Sequence, residues 1–284
     1  MIRKYLRLTK PGIVIGNLVT AIAGFIFASE GSFNPALFTA WVLGISLVMA
    51  SACVFNNYID RGIDAKMART KKRALVTGDI RALNAIVFGS VLGIAGFLLI
   101  IAFINIPTFI LGVVAYVNYI VFYGITKRKS IHGTLVGTIS GAMPLAAGYT
   151  AVTGMINEIT AILFLIMVFW QMPHFYAIAM YRLKDYKSAG IPVLPAVRGL
   201  AVTKFSILAY ILFFSFAVIY LYASVNMGYV YLAVMLVATI FWLVYGLKGL
   251  TTNKNKAWAG KMFSISLRVL MIFSLLLSLD KFLP

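Results

Sequence analysis

The chain has 284 residues, of which 62% are hydrophobic, and its mean hydropathy is +0.97. A soluble domain is closer to half apolar, so this composition excludes an ordinary soluble domain and favours a protein embedded in lipid. The 25 Lys and Arg against 7 Asp and Glu give a net charge of +18; we interpret this excess as basic residues flanking membrane spans and touching anionic lipid, and we expect no nucleic-acid partner.

Nine apolar segments are predicted to form membrane-spanning helices, because a run of about 20 apolar residues crosses a bilayer. They lie near 12–29, 36–58, 84–104, 107–126, 131–152, 159–181, 200–223, 227–247 and 258–280. No connection between them is long enough for a separate folded unit. The fold class is therefore all-α, a polytopic membrane protein whose nine helices form one bundle, with residues 1–284 as a single domain.

Basic residues fall in alternate connections, which predicts the orientation of the bundle. The N-terminal segment and residues 59–83, 127–129, 182–204 and 248–261 hold 23 of the 25 Lys and Arg. Since cytoplasmic connections are the basic ones, we expect a cytoplasmic N-terminus and a C-terminus outside. The long cytoplasmic loops 59–83 and 182–204 are predicted to cap a site, because loops held by rigid helices often carry function.

The N-terminal segment is short and basic and leads directly into the first apolar run. It has no small-residue cleavage site, so the first helix is expected to be retained. Cys53 is the one cysteine and lies within an apolar run. This excludes a disulfide, or a cysteine-based metal site, within one chain.

The end of the second span carries a first polar constellation. Asn56, Asp60 and Asp64 are four residues apart, and on a helix they fall within an arc of about 80°. Carboxylate and amide oxygens suit a hard cation such as Mg²⁺, which typically bridges carboxylates to phosphate oxygens. The basic residues that follow suit a substrate with several phosphate charges. Simple surface ion pairing is the alternative, but it leaves Asn56 and Asn57 without a reason to sit in an apolar segment.

The end of the sixth span carries a second constellation. With Gln171 taken as the origin of a helical wheel, His174, Arg182 and Asp185 fall on the same stripe, about 80° wide. A polar stripe on an apolar helix should face a cavity or another helix rather than lipid. Both a substrate contact and a simple hydrogen bond from His174 to a neighbouring helix remain open.

These residues resemble a known family of membrane-embedded prenyltransferases, typified by 4-hydroxybenzoate polyprenyltransferase. That family has nine helices, and an Asn-Asp-x-x-Asp-x-x-x-Asp motif follows its second helix. Residues 56–64 match this motif, except that Asn57 replaces the first Asp. The family's second motif, Asp-x-x-x-Asp after the sixth helix, is reduced here to Asp185, with Ala189 four residues later.

With both of these departures, the sequence resembles one branch of that family, the haem O synthases. The motifs of this branch are legible as Cys-Val-Phe-Asn-Asn-Tyr-Ile-Asp-Arg-x-Ile-Asp at 53–64, Trp-Gln-Met-Pro-His at 170–174, Asp-Tyr at 185–186 and Ile-Pro-Val-Leu-Pro at 191–195. The resemblance covers essentially the whole chain. The run at 170–174 is specific to this branch, whereas the aspartate motif indicates only the wider family.

The resemblance implies transfer of a farnesyl group from farnesyl diphosphate to a vinyl group of haem B, with addition of water. Mg²⁺ is the implied cofactor, and the bilayer of a bacterial inner membrane is the implied location. Haem A synthase or the assembly of a terminal oxidase would then be candidate partners. The implied metal and catalytic residues are Asn56, Asp60 and Asp64, with Asp185 as a further candidate. The implied diphosphate-binding residues are Asn57, Lys71, Lys72, Arg73, Lys127 and Arg128, and the implied haem-binding residues are His174, Gln171 and Arg182.

Three alternatives stay open on the residues alone. Another member of the family would prenylate a quinone precursor or another aromatic acceptor. A transporter for an anionic substrate would use the same charges as a pathway, without breaking a bond. A non-catalytic haem-binding assembly factor would bind haem and ignore farnesyl diphosphate.

Overall fold

A computed structural model describes residues 2–283, and within this range the chain is helical and contains no strand. Nine of the described helices are long and apolar enough to cross a membrane. The predicted fold class and number of spans are therefore confirmed. This outcome follows from lipid itself, which offers backbone N–H and C=O groups no partner outside the helix.

The helices are labelled here in chain order. Their bounds are α1 Ile2–Leu8, α2 Pro11–Ser29, α3 Pro35–Asp64, α4 Ala82–Phe103, α5 Ile106–Lys129, α6 Gly133–Thr153, α7 Glu158–Tyr181, α8 Leu183–Ser188, α9 Leu194–Val197, α10 Gly199–Val225, α11 Tyr229–Thr251 and α12 Asn255–Leu279. The spans are α2 to α7 and α10 to α12, and a short 3₁₀ turn follows α12. Residues 118–122 of α5 are wound as a π-helix.

Several predicted helix ends were too early. The second span was expected to end at residue 58, but α3 continues to Asp64 and is 30 residues long. Likewise α5 reaches Lys129 and α11 reaches Thr251. Loss of hydrophobicity marks where a helix leaves the bilayer, whereas the helix itself continues until its hydrogen bonds are capped or broken. The polar motif at 56–64 therefore lies on a helix and not in a loop.

Asparagine side chains cap the N-terminal ends of three of the spans. The Asn34 side chain accepts hydrogen bonds from two backbone N–H groups at the start of α3, both at 3.1 Å. Asn105 accepts from the N–H of Thr108, and Asn157 forms a reciprocal capping box with Thr160. These caps satisfy N–H groups that have no partner within the helix, so each helix can begin immediately after a short connection.

Glycines allow α2 and α6 to cross at close range. A Cβ atom added to Gly24 would lie 2.1 Å from the carbonyl oxygen of Leu145, and one added to Gly148 would lie 2.1 Å from that of Ala21. Small residues permit this backbone approach between membrane helices. The contact fixes α6 beside α2, and α3 contributes to the same apolar cluster.

Substitution of Gly24 by Ala should lower the thermal stability of the detergent-solubilised protein. The added methyl group overlaps backbone atoms, which cannot move aside as a side chain can, and such overpacking typically costs about 1–3 kcal/mol. Gly16→Ala on the same helix is the matched control, because a Cβ there meets nothing within 4 Å. Equal melting temperatures for Gly24→Ala and Gly16→Ala would contradict the proposed close crossing.

Candidate functional site

The polar end of α3 is buried. The exposed fractions of Asn56, Asp60 and Asp64 are 4%, 9% and 3%. The neighbouring Arg61, by contrast, is exposed. One face of the helix therefore turns these oxygen atoms inward, as the four-residue spacing predicts. Buried charge of this kind needs a partner, since transfer of an unpaired carboxylate out of water is strongly unfavourable.

Asp60 is paired with two cations from the end of α5. The Lys127 ammonium donates to Asp60 Oδ2, and Arg128 Nη2 lies 3.4 Å from Asp60 Oδ1. Arg128 also donates to the carbonyl of Ile59 at 2.7 Å. Lys127 is itself buried, and its Nζ lies 4.7 Å from the centroid of the Tyr123 ring. The predicted diphosphate-binding residues Lys127 and Arg128 are thus brought directly against the acidic face.

Asp64 is paired with the loop that follows α3. Arg73 Nη1 donates to Asp64 Oδ2 at 2.6 Å, and the Thr70 hydroxyl donates to the Asp64 carbonyl at 2.9 Å. These bonds fold the loop back over the end of the helix. Lys71 and Lys72, in the same loop, are exposed, and neither forms an ion pair within the described part of the chain.

Lys10 is a site residue that the sequence analysis missed. It precedes α2 in a left-handed conformation with φ of 50°, and its ammonium donates to Asn56 Oδ1. Removal from water lowers the pKa of Lys10 to about 8, although Asp60 and Asp64 favour its charged form. The signal in the sequence was a lysine directly before the proline that opens a span; residues 8–11 also resemble the pattern of the branch, but Lys10 was given no role in the site.

Asn57 anchors the N-terminal segment to α3. Its Nδ2 donates to the carbonyl of Leu8 at 2.8 Å, whereas its buried Oδ1 has no hydrogen-bond partner between residues 2 and 283. A buried amide oxygen without a partner is uncommon. Asn57 therefore positions the segment that carries Lys10 and keeps one acceptor free.

The donor set at the end of α3 is suited to a hard divalent cation. It offers two carboxylates and one amide oxygen on a single helix face, and Mg²⁺ takes oxygen ligands of this kind while keeping several waters. Across residues 2–283, no three His, Cys, Asp or Glu side chains meet as a metal cluster. Asn56 would therefore have to serve as a ligand together with Asp60 and Asp64, and waters or phosphate oxygens would complete the coordination.

The two buried members of the second constellation face different helices. Gln171 donates from Nε2 to the carbonyl of Met167 at 3.1 Å, and its Oε1 lies against Gly141 of α6. His174 forms a hydrogen bond of 2.8 Å between Nδ1 and the hydroxyl of Ser266 on α12. The two buried residues of the predicted polar stripe therefore contact different helices, Gln171 contacting α6 and His174 contacting α12.

Aromatic rings enclose the His174 imidazole. It stacks on Trp170 with ring centroids 4.8 Å apart, and the ring of Phe263 lies at 4.9 Å. The indole N–H of Trp170 donates to the carbonyl of Ser266 at 2.7 Å. The imidazole is therefore held in a fixed orientation by α7 and α12 together.

Arg182 and Asp185 lie beyond the end of α7. Arg182 is exposed and stacks over the ring of Tyr181, with its guanidinium carbon 4.9 Å from the ring centroid. Asp185 is half-buried on α8 and forms no ion pair among the residues described. Among the residues described, Asp60, Asp64 and Asp185 do not meet as a three-carboxylate metal cluster.

An apolar cavity of about 120 Å³ lies in the bundle beside this site. Helix α3 lines it over three turns, from Trp41 to Cys53, and Cys53 lies one turn before Asn56. Helices α2, α5 and α6 supply most of the other walls. The polar side chains on these walls are Asn17, Thr108, Tyr116, Tyr119 and Ser140. The arrangement places a cluster of buried charged side chains next to an apolar compartment, which suits an amphipathic substrate.

Comparison with known proteins identifies the family. Residues 17–270 match the model of the UbiA prenyltransferase family. The protoheme IX farnesyltransferase of Photorhabdus laumondii is 46% identical over 285 residues, covering 100% of this chain and 97% of the relative. The enzyme of the same name from Yersinia pseudotuberculosis is 47% identical over 281 residues, covering 99% and 95%.

Solved structures agree on the fold. A structure concerned with digeranylgeranylglyceryl phosphate synthase in membranes matches with a TM-score of 0.82 and 20% identity, covering 99% of this chain and 98% of the other. A UbiA homologue from Archaeoglobus fulgidus, bound to DMAPP and Mg²⁺, matches with a TM-score of 0.72 and 17% identity, covering 95% and 99%. The full-length likeness in sequence and the shared helical bundle lead to one conclusion: the chain belongs to the UbiA prenyltransferase family.

Proposed function

We propose that this protein transfers the farnesyl group of farnesyl diphosphate to a vinyl group of haem B, with addition of water, and releases haem O and diphosphate. The observation that carries the proposal is identity of 46–47%, over essentially the whole chain, to proteins named protoheme IX farnesyltransferase. The adjoining charged site and apolar cavity suit the two ends of a prenyl diphosphate. No feature of the described residues favours a quinone precursor or transport over this reaction.

The acidic face of α3 would hold the metal. Asn56, Asp60 and Asp64 provide hard oxygen donors, and a related UbiA homologue has been solved with both Mg²⁺ and DMAPP. Bound Mg²⁺ would supply positive charge to the diphosphate and so make it a better leaving group. Asp185 on α8 is a further candidate for this site, since the Ser188 hydroxyl of the same helix donates to the carbonyl of Lys66 at 3.4 Å, just beyond α3.

Basic residues would bind the diphosphate by exchanging partners. In the structure Lys127 and Arg73 neutralise Asp60 and Asp64, and Lys10 donates a hydrogen bond to the neutral amide of Asn56. With a metal held by these oxygens, the same side chains would be free to donate to phosphate oxygens close by. Fixed donors aimed at developing negative charge are among the strongest contributions to catalysis. Asn57 and Arg128 would complete the pocket, and the exposed Lys71 and Lys72 would attract the anion from water.

The alkylation itself requires no strong base. Breaking of the carbon–oxygen bond leaves both electrons on diphosphate and gives an allylic cation, which the vinyl group of haem attacks. Water then adds to the resulting cation and loses a proton to solvent. The apolar cavity would hold the farnesyl chain and keep bulk water from the allylic cation until the new bond forms.

Haem would lie against α7. His174 is the best candidate to contact it, either as an iron ligand through Nε2 or beside the vinyl group, because Nδ1 is already held by Ser266. Gln171 would contact the macrocycle from the α6 side. Arg182, exposed at the end of the helix, could meet a propionate.

The same proposal places the protein in its membrane. Basic residues concentrate at the end of the bundle that holds the site, which favours a cytoplasmic N-terminus and an outer C-terminus in a bacterial inner membrane. The loops at 59–83 and 182–204 would cap a single catalytic domain. A haem A synthase or an oxidase assembly factor would accept the product.

Purified protein in nanodiscs, supplied with haem B, farnesyl diphosphate and Mg²⁺, should yield haem that carries one farnesyl group and one water. Mass spectrometry detects this adduct, and omission of Mg²⁺ should abolish it. Bound haem with intact farnesyl diphosphate would instead favour a non-catalytic haem-binding protein. Consumption of farnesyl diphosphate only when a quinone precursor is added would favour the other prenyltransferase activity.

Substitution of Asp60 by Asn should lower farnesylation about 100-fold and raise the Mg²⁺ concentration needed for activity, because one anionic ligand is lost. Asp79→Asn is the matched control, since Asp79 is exposed and pairs with Lys4 outside the site. The double variant Asp60→Asn/Lys127→Met separates two roles. Restored activity in this variant would mean that Asp60 serves only to neutralise Lys127.

Substitution of His174 by Ala should reduce the affinity for haem and alter its Soret absorption, with farnesyl diphosphate binding unchanged. The expected loss of activity is about 10-fold to 100-fold, as for other groups that position a reactant. His132→Ala is the control, because His132 is exposed at the start of α6. A normal Soret spectrum and normal turnover for His174→Ala would remove His174 from the haem site.

A further inference from the structure

The apolar cavity is closed at the end opposite the acidic face. Trp41, Ile100 and Thr108 line this end and are 1%, 1% and 0% exposed. They come from α3, α4 and α5, so three helices close the compartment together. The other end begins at Cys53, one helical turn before Asn56. A chain whose diphosphate lies near Asn56 would therefore point toward Trp41.

The length of the compartment corresponds to three isoprene units. Trp41 lies 12 residues before Cys53 on α3, which is about 18 Å at the helical rise of 1.5 Å per residue. With carbon–carbon bonds of about 1.5 Å, the backbone of an extended farnesyl group measures roughly 15 Å, and each further isoprene unit adds roughly 5 Å. With the diphosphate near Asn56 and the first carbon of the chain beside Cys53, an extended farnesyl group fits within this span, and a geranylgeranyl group exceeds it.

We propose that Trp41 is the stop that limits the donor chain to three isoprene units. This inference rests on the proposed function, because it requires a prenyl diphosphate as the donor. Trp41 also has a simpler reading as a core residue of the cluster between α2, α3, α4 and α6. Its indole N–H forms no hydrogen bond within residues 2–283. Trp41 therefore acts at this position through the volume of its ring and not through a hydrogen bond.

Substitution of Trp41 should lengthen the compartment. The next residue of the same helix face is Leu37, one turn further from the site, and it packs against the same cluster. Four residues of helix correspond to about 6 Å, close to one isoprene unit. Trp41→Leu would therefore open room for a fourth unit, and Trp41→Phe would open less.

Trp242 provides a matched control. It is 0% exposed, and its indole N–H is likewise without a partner among the residues described. Its ring packs edge-on against Phe214 in an apolar cluster separate from the one that contains Trp41, and it does not line the cavity. A general effect of removing a buried tryptophan should appear in Trp242→Leu as well, whereas an effect on chain length should not.

Gly112 allows a change in the opposite direction. It lines the cavity on α5, four residues from Thr108 at the closed end, and a Cβ added there would meet only Phe97, at 3.4 Å. Gly112→Leu would therefore fill part of the cavity without a backbone clash. Its expected effect is a shift from farnesyl toward the shorter geranyl donor.

The test is competition between equal concentrations of geranyl, farnesyl and geranylgeranyl diphosphates, with haem B as acceptor and the ratio of haem adducts read by mass spectrometry. The ratio within one sample does not depend on how much of a variant is folded. Wild type should prefer farnesyl. Trp41→Leu should raise the ratio of geranylgeranyl to farnesyl adduct about tenfold, the order of a size mismatch in an apolar pocket. Trp41→Phe should raise it less, and Trp242→Leu should leave it unchanged.

If wild type makes the farnesyl adduct and the adduct ratio is unchanged in both Trp41 variants, Trp41 does not limit the length of the donor chain. The proposed function would be unaffected by this result. The same shift in Trp242→Leu would also overturn the role of Trp41 as the stop, because the effect would then come from general loosening of the bundle. A failure of Gly112→Leu to favour geranyl would show that the chain lies elsewhere. If wild type makes no prenyl–haem adduct from any donor, the proposed function fails and the stop fails with it.

Discussion

Pairing of buried charge at the end of α3 is the constraint on which this site depends. The oxygens of Asn56, Asp60 and Asp64 meet cations from three separate segments: Lys10 before α2, Lys127 at the end of α5, and Arg73 in the loop after α3. Loss of one partner from a buried ion pair typically costs about 3–5 kcal/mol. The three segments are therefore held around one helix face before any ligand binds, and the charges that balance the acidic face are already near the place where a diphosphate would lie.

Helix α3 also joins the two kinds of surface that an isoprenoid diphosphate requires. Its face from Trp41 to Cys53 lines the apolar cavity, and from Asn56 onward the same helix presents polar oxygens. Because one helix carries both, the distance between the charged end and the closed end cannot change unless that helix bends or unwinds. A fixed distance of this kind would allow the protein to select a donor by its length as well as by its charge, as we propose.

The sequence predicted the membrane bundle well because the relevant signal is local. An apolar run long enough to cross lipid must satisfy its own backbone, and a helix is the solution available to a single segment. The inward face formed by Asn56, Asp60 and Asp64 was predicted for the same reason, since helical spacing sets which residues share a face. Helix ends were predicted less well, because α3 and α5 continue through polar residues to Asp64 and Lys129.

The sequence by itself determined the number of spans, the helical face of the acidic motif and the family that it resembles. Tertiary structure decided which residues meet: Lys10 reaches Asn56, and Gln171 and His174 turn to different helices despite sharing a stripe. Trp41 and Trp242 are both tryptophans within apolar spans, and only the packing of neighbouring helices places one of them in the cavity. The physical reason is that hydrophobicity and helical periodicity act along one segment, whereas ion pairs and cavities form between segments whose relative positions are set by the close packing of the whole bundle.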